Sequence, residues 1–415
     1  MKPDWIVLGL VILLGAAPGS RRAPLVAVRA GKIWTATEKH YDNGVILVEG
    51  GKILSIGTGD IPAGAQVLDF PDAWATPGLV DLHCHVGGMI RDINDMVHPT
   101  NPELSTRATI DPDSELLKDA VAGGVTTVNY IPGSGTNMSG FGTLMHTAGG
   151  RTIEDLIIRF PGALKVAQAW NPERYGGDLG MSRMGMWWGL RDVLTEAREY
   201  NDAWTAYEKG TTKEAPRKKE SLENMRGLFQ GKWPVIIHTA DARDVMGTVR
   251  MFHDEFHIAC IVSHGEFGGY KSAGEIARRG LPANIGPRTY DWTIMMHDGH
   301  CHGIAEEYRK AGVERLSINT DSPVVPEEEL IFQASMCARL GLPEEMALRG
   351  VTIEPARAIK IADRLGSLEP GKDADIVLWT GNPLDVRNRV LLTMIGGKVV
   401  YDERVKKRVT FGGGW

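Results

Sequence analysis

His83 and His85 stand two residues apart in Asp81-Leu82-His83-Cys84-His85, at the end of the apolar run Leu79-Val80. In an extended strand, residues i and i+2 share a face, so both imidazoles converge on one point while Leu82 and Cys84 face away. Two convergent imidazoles begin a divalent-cation site. Alone, they are equally what two hydrogen-bonded histidines at a strand end look like. Three downstream segments separate these readings, because Val235-Ile236-Ile237-His238, Ile258-Ala259-Cys260-Ile261-Val262-Ser263-His264 and Leu316-Ser317-Ile318-Asn319-Thr320-Asp321 each end an apolar run in a nitrogen or oxygen ligand. Four histidines and one aspartate are a donor set that zinc accepts.

Such residues need strands that deliver them to one place. Short apolar strands separated by longer helical stretches predict an α/β fold with a parallel sheet, and chemistry at strand carboxyl ends is the habit of a (β/α)8 TIM barrel. Barrel strands are expected near 79–85, 125–131, 142–147, 162–168, 234–238, 258–264, 282–287 and 315–321. The two ends read as β instead: Gly50-Gly51-Lys52 and Gly396-Gly397-Lys398 both sit between apolar strands as hairpin turns. Neither end can bury its apolar face alone, so the two are expected to pair into one small β-sandwich flanking the barrel. The resulting division is a signal-like segment 1–23, a first sandwich part 24–74, the barrel 75–365 and a second sandwich part 366–415.

The chain resembles the amidohydrolase superfamily, in its imidazolonepropionase-like and prolidase-like branch. The resemblance rests on Pro77-Gly78-Leu79-Val80-Asp81-Leu82-His83-Cys84-His85, on His238, on His264-Gly265-Glu266, on Asn319-Thr320-Asp321, and on the C-terminal block from Gly366 to Leu378. It covers nearly everything after the first two dozen residues. It implies the same barrel and flanking sandwich, a metal site of His83, His85, His238, His264 and Asp321, and a bridging ligand from the fourth strand. Lys165 is the residue supplied there, and a plain ammonium has only donors and cannot ligate a cation. Carbamylation by CO2, which the resemblance implies, turns Lys165 into a bridging carboxylate, with Glu173 the competing bridge, so that one or two ions of zinc or another divalent metal are expected. This chain reads Ala169-Trp170-Asn171-Pro172-Glu173 where the branch carries Gly-Glu-Asn-Pro-Lys, so substrate preference does not transfer with the motif.

A metal ion lowers the pKa of its bound water to about 7 and polarises a scissile carbonyl. A carboxylate must then move the proton, and Asp321 is the candidate general base and acid, delivering it to the leaving nitrogen. Asp321 also has the position of a helix N-cap before Ser322-Pro323. The expected reaction is hydrolysis of a C–N bond in a small amide, cyclic amide or dipeptide-like molecule. A mononuclear deaminase uses the same histidines with an acid close after the fifth-strand His, where this chain offers Asp241; a non-catalytic binding protein that keeps the fold is the third reading. Gly133-Ser134-Gly135-Thr136-Asn137, Arg288-Thr289-Tyr290 and His146 are candidate pocket groups, since βα-loops supply substrate contacts in barrels.

Composition narrows the partners. With 415 residues, 43% hydrophobic, and net charge −6, the chain lacks the basic excess of a nucleic-acid binder. Arg217-Lys218-Lys219 interleaves with Glu214, Glu220 and Glu223 and reads as a solvated helix face. The four cysteines form no disulfide framework, and His300-Cys301-His302 reads as a loop or helix start rather than a second ligand set. Trp5 to Leu14 is an apolar stretch too short for a bilayer, which takes about 20 residues, and fits a secretory signal core of roughly 7–15. A periplasmic or secreted location is the expectation. Lys2 is offset by Asp4 and no Ala-x-Ala site follows, which leaves open a retained anchor, with membrane contact, or a misassigned start codon. A homo-oligomer is also left open.

Overall fold

The computed structural model describes residues 24–173, 182–405 and 408. The signal-like segment 1–23 lies outside the described residues. Among those described, no helix is long and apolar enough to cross a membrane.

Strands from both chain ends lie in one continuous seven-stranded sheet rather than in two separate ones. They are β1 (Val26–Trp34), β2 (His40–Glu49), β3 (Lys52–Gly57) and β4 (Gln66–Pro77) from the N-terminal side. Following the barrel strands numbered below, β15 (Ile376–Trp379), β16 (Val390–Ile395) and β17 (Lys398–Asp402) come from the other end. The length of β4 explains the continuity: it pairs parallel with β1 from Gln66 to Ala75 and antiparallel with β15 from Trp74 to Pro77. Both glycine turns form as the sequence predicts, with φ of 60° and 81° at Gly50 and Gly51 and 53° and 76° at Gly396 and Gly397. They also touch, since a Cβ on Gly51 would lie 2.9 Å from the Gly396 carbonyl oxygen. This sheet has its own core, including Val28, Ile33, Ile46, Ile376, Leu392 and Met394.

The central strands fall into two sheets. One holds β5 (Leu79–Cys84), β6 (Val125–Tyr130), β8 (Thr143–His146) and β9 (Ile157–Arg159), in the order β5-β6-β8-β9. The other runs β14-β13-β12-β11-β10-β7, from β14 (Leu316–Ile318) through β13 (Ala283–Ile285), β12 (Cys260–His264), β11 (Val235–Thr239) and β10 (Leu164–Ala167) to β7 (Met138–Phe141). Strands β10 to β14 are parallel, as are β5 and β6.

The third expected barrel strand departs from the pattern. Its residues form β8, antiparallel to β6, and the chain just before Gly142 adds β7, antiparallel to β10. A parallel neighbour needs a crossover of a dozen or more residues. Between β6 and its neighbour β8 the chain from Ile131 to Gly142 holds β7 and no crossover helix, so β8 returns antiparallel.

Alternation also fails once in β5. Leu82 packs with Val80, Ala163, Ile236 and Ile261, on the same side as the ligands, whereas Cys84 joins the outer core. The register against β6 slips between Asp81 and Cys84. An irregularity of this kind re-aims a side chain next to a site, and here it puts Leu82 beneath His83 rather than behind it.

Candidate metal centre and pocket

His83 lies in β5, His85 just past its end, Lys165 in β10 and His238 in β11, while His264 closes β12 and Asp321 comes just after β14. Two sets of ligand atoms, His83 with His238 and His264, and His83 with His85 and Asp321, each lie within 4.8 Å of one another. Asp321 Oδ1 is 3.4 Å from His83 Nε2 and 3.3 Å from His85 Nε2. Lys165 Nζ is fully buried and 2.7 Å from His83 Nε2. The six predicted residues therefore gather around His83, which both sets share. Both His264 and Asp321 hold left-handed backbone, at φ 69° and 49°, strained for residues with side chains.

Hydrogen bonds behind the rings fix which nitrogen carries the proton. Carbonyl oxygens only accept, so His85 Nδ1, 2.9 Å from Ile131 O, and His264 Nδ1, against Gly286 O, are the protonated nitrogens. His83 Nδ1 meets Ser263 Oγ at 2.7 Å. That hydroxyl donates its single proton to Asn284 O at 3.4 Å and receives Asn284 Nδ2 at 3.2 Å, so His83 Nδ1 must donate. In all three rings the Nε2 lone pair faces the centre, the arrangement a metal-binding imidazole requires. His264 Nε2 and His238 Nδ1 are buried with no hydrogen-bond partner. Buried polar atoms rarely stand alone, and orphaned imidazole nitrogens facing a cluster of donors fit a cation.

Beneath the ligands, Asp81 accepts from His83 N, Thr320 N and Thr320 Oγ1, each at 2.8 Å. Burial pushes the Asp81 carboxyl up to about 7 against the pull of those hydrogen bonds. Burial and the Asp81 charge raise Glu327, whose Oε2 lies 3.1 Å from Thr320 Oγ1. Burial likewise lowers the Lys165 ammonium to about 7, with Asp321 opposing the shift, and holds His83 and His238 well below the usual imidazole value. For Asp321, burial raises the carboxyl, and His264, His85 and Lys165 outweigh it, so the group stays below the ordinary carboxylate range. The centre thus favours neutral imidazoles at His83 and His238 beside an ionised Asp321.

The amidohydrolase family profile matches residues 298–400. The amidohydrolase tasK of Hapsidospora irregularis is 26% identical over 97% of this chain, which spans 44% of that protein's length. An imidazolonepropionase of Rhizobium meliloti is 26% identical, covering 88% of this chain and 92% of its own. A crystal structure of an amidohydrolase from Thermotoga maritima superposes with a TM-score of 0.83 at 28% identity, over 91% of this chain and 100% of that one. The chain belongs to the amidohydrolase superfamily. It is a hydrolase of carbon–nitrogen bonds, with the TIM-barrel fold that the structural likeness carries.

Several other predicted positions of this amidohydrolase lie elsewhere. Glu173 is partly exposed, receives Trp170 N at 3.4 Å and lies 3.7 Å from Arg183, so it joins neither ligand set. His146 is not a pocket group: because β8 runs antiparallel, its end lies beside Thr127 at the opposite end of β6, 3.5 Å from Asp375. Asp241 caps the helix Ala242–Thr248 and pairs with Arg243 at 2.6 Å, which occupies the acid a deaminase would use. Asp321 caps no helix; it heads a turn closed by Val324 N at 2.9 Å. Asn137 Nδ2 is spent on Ala167 O at 2.7 Å, and Gly135 N on Asn94, so that loop braces the barrel top. Cys301 is exposed, and His302 Nε2 binds Asp298 at 2.8 Å.

A pocket of about 200 Å³ opens onto the centre, lined by His238, His264 and Asp321 below and by Trp170, Phe267 and Arg288 above. Arg288 is where the sequence placed it; Thr289 and Tyr290 do not line this pocket. Ser263, Asn284 and Phe267 were not anticipated. The only trace of the first is a polar residue next to a ligand in an otherwise apolar strand.

Proposed function

We propose a two-zinc amidohydrolase that cleaves an amide, cyclic amide or dipeptide-like bond in a small molecule. The observation that supports it most is the convergence of five ligand side chains, His83, His85, His238, His264 and Asp321, including the partnerless His264 Nε2. Bound there, divalent ions supply Lewis-acid polarisation of a carbonyl and acidification of water. His83, His85, His238 and His264 would hold them. Lys165 would join the set as a carbamate, a reading supported by its Nζ at 2.7 Å from His83 Nε2, whereas Glu173 lies beside Arg183. Asp321 accepts the proton of the attacking water at Oδ1 or Oδ2 and returns it to the leaving nitrogen. With its carboxyl below the ordinary range, it enters the cycle ionised.

The test is a screen of metal-reconstituted protein against N-acyl amino acids, dipeptides and lactams, reading carboxylate and ammonia separately. A product carboxylate and amine without free ammonia supports the proposal. Free ammonia as the first product refutes it in favour of deamination. Export belongs to the same proposal, and N-terminal sequencing of the mature protein from the periplasm or medium tests it: an intact residue 1–23 segment counts against a cleaved signal.

A further inference from the structure

We propose that Arg288 is the specificity-determining residue of the pocket, receiving a carboxylate of the substrate while Trp170 and Phe267 receive an apolar or aromatic side chain beside it. This rests on the hydrolase reading and narrows its substrates to N-acyl amino acids or dipeptides with a free carboxylate, against neutral lactams.

The guanidinium has two distinct sides. Nη1 donates to Glu266 Oε2 at 2.7 Å, and the backbone N of the same residue donates to Oε1 at 2.9 Å. Glu266 is buried, so this contact fixes Arg288 rather than occupying it fully. Nε and Nη2 donate to nothing among the described residues, and the side chain is 47% exposed. Those two N–H groups form the planar fork that matches the two oxygens of a carboxylate. Five donors allow one guanidinium to serve a buried glutamate and a ligand at once.

Next to the fork is an aromatic wall. Arg288 Cζ lies 5.3 Å from the Phe267 ring centroid, and Phe267 lies 4.2 Å from that of Trp170. Trp170 is 52% exposed and sits at φ 56°, an outlying backbone for a bulky residue, of the kind found where a site demands it. A half-exposed indole held this way at a pocket mouth offers a flat apolar face.

The fork is also tied to the chemistry. Gly286 O takes the Nδ1 proton of His264, and two residues on, Arg288 N grips Glu266, two residues past His264. Two bonds thus lock the loop bearing the guanidinium to the loop bearing a metal ligand. A carboxylate held by Arg288 is positioned relative to the reacting centre by those bonds, which is how a site turns remote binding into orientation.

The experiment titrates zinc-loaded Asp321→Asn protein, with metal content verified, by calorimetry against N-acetyl-L-phenylalanine and against N-acetyl-L-phenylalaninamide, which differs only in lacking the carboxylate. The acid is expected to bind about 10–100-fold tighter, the scale of a charge-assisted hydrogen-bonded pair. Arg288→Lys keeps Glu266 paired but has no second edge, and should collapse the ratio toward one. The double replacement Arg288→Gln with Glu266→Gln, which leaves no buried charge unpaired, should do the same if the lysine variant fails to fold. Equal affinities in the parent, a ratio retained in both variants, or no binding of either probe overturns the proposal. Selective binding that disappears with Arg288, together with no hydrolysis of any amide by wild-type protein, would sink the hydrolase reading and leave Arg288 standing.

Discussion

Ser263→Ala tests whether the hydrogen bonds behind the imidazoles set the metal affinity. Ser263 is fully buried, and its Oγ is the acceptor, at 2.7 Å, for His83 Nδ1. Alanine removes one oxygen and leaves a buried N–H without a partner, a loss of about 1–3 kcal/mol. Loss of an outer hydrogen bond to a ligating histidine typically weakens metal binding about 10–100-fold, and at about 1.4 kcal/mol per tenfold the two routes agree. His83 is shared by both ligand sets, so the loss should affect every ion bound. Zinc affinity measured by competition with a chromophoric chelator is expected to fall by that factor, with the melting temperature of the metal-free protein changing far less. Ser317→Ala is the control: Ser317 Oγ binds Asn284 Oδ1 at 2.8 Å, one link further from the ring, and its loss should be felt weakly. Equal zinc affinities for wild type and Ser263→Ala, or equal losses in both variants, would refute the assignment of His83 Nδ1 as a donor to Ser263.

Asp321→Asn should retain fold and metal and lose about 10²–10⁴-fold in kcat, the range for a general acid–base group, and undiminished turnover would rule out Asp321 as the shuttle. Lys165→Ala should lower metal stoichiometry by elemental analysis, and an unchanged two-ion content would exclude Lys165 as the bridge. Asp81→Ala strips the acceptor from three buried donors and should destabilise the protein by roughly 3–6 kcal/mol in urea unfolding, whereas a loss under 1 kcal/mol would show that the donors find other partners. Chelation should lower the melting temperature and zinc restore it, since an ion at about 1,000 times its Kd adds about 4 kcal/mol to the folded state; a melting temperature insensitive to zinc would mean the centre does not hold the ion.

The metal-site candidates were legible because each histidine or aspartate closes an apolar run, a signal that needs no tertiary information. Lys165 carried no such signal: it is a buried residue inside a strand, and only the family resemblance pointed to it. The supports behind the rings were illegible for a different reason. Ser263, Asn284 and Ser317 meet across three strands, and their pairing depends on register, which the hydrophobic pattern leaves free. Strand direction is equally absent from that pattern. The apolar run ending in His146 reads the same in either sense, and its antiparallel course took His146 to Asp375 instead of the pocket.

The centre also lies on a seam, which changes what its ligands do for the fold. His83 and His85 come from the four-stranded sheet, while Lys165, His238, His264 and Asp321 come from the six-stranded one. Strands β5 and β14 share no ladder; they are joined by His85 N to Ser322 O at 2.8 Å and by the Asp81 carboxylate to Thr320. A side chain accepting in place of a backbone carbonyl frees Thr320 and Asp321 from strand geometry. Asp321 can then take φ 49° and place its carboxylate 3.3 Å from His85. Ions bound between the two sets would therefore cross-link the same junction that Asp81 spans from below. Metal affinity and the strength of this seam become one quantity measured two ways, so the Asp81→Ala variant, if it folds, should need zinc more than wild type does.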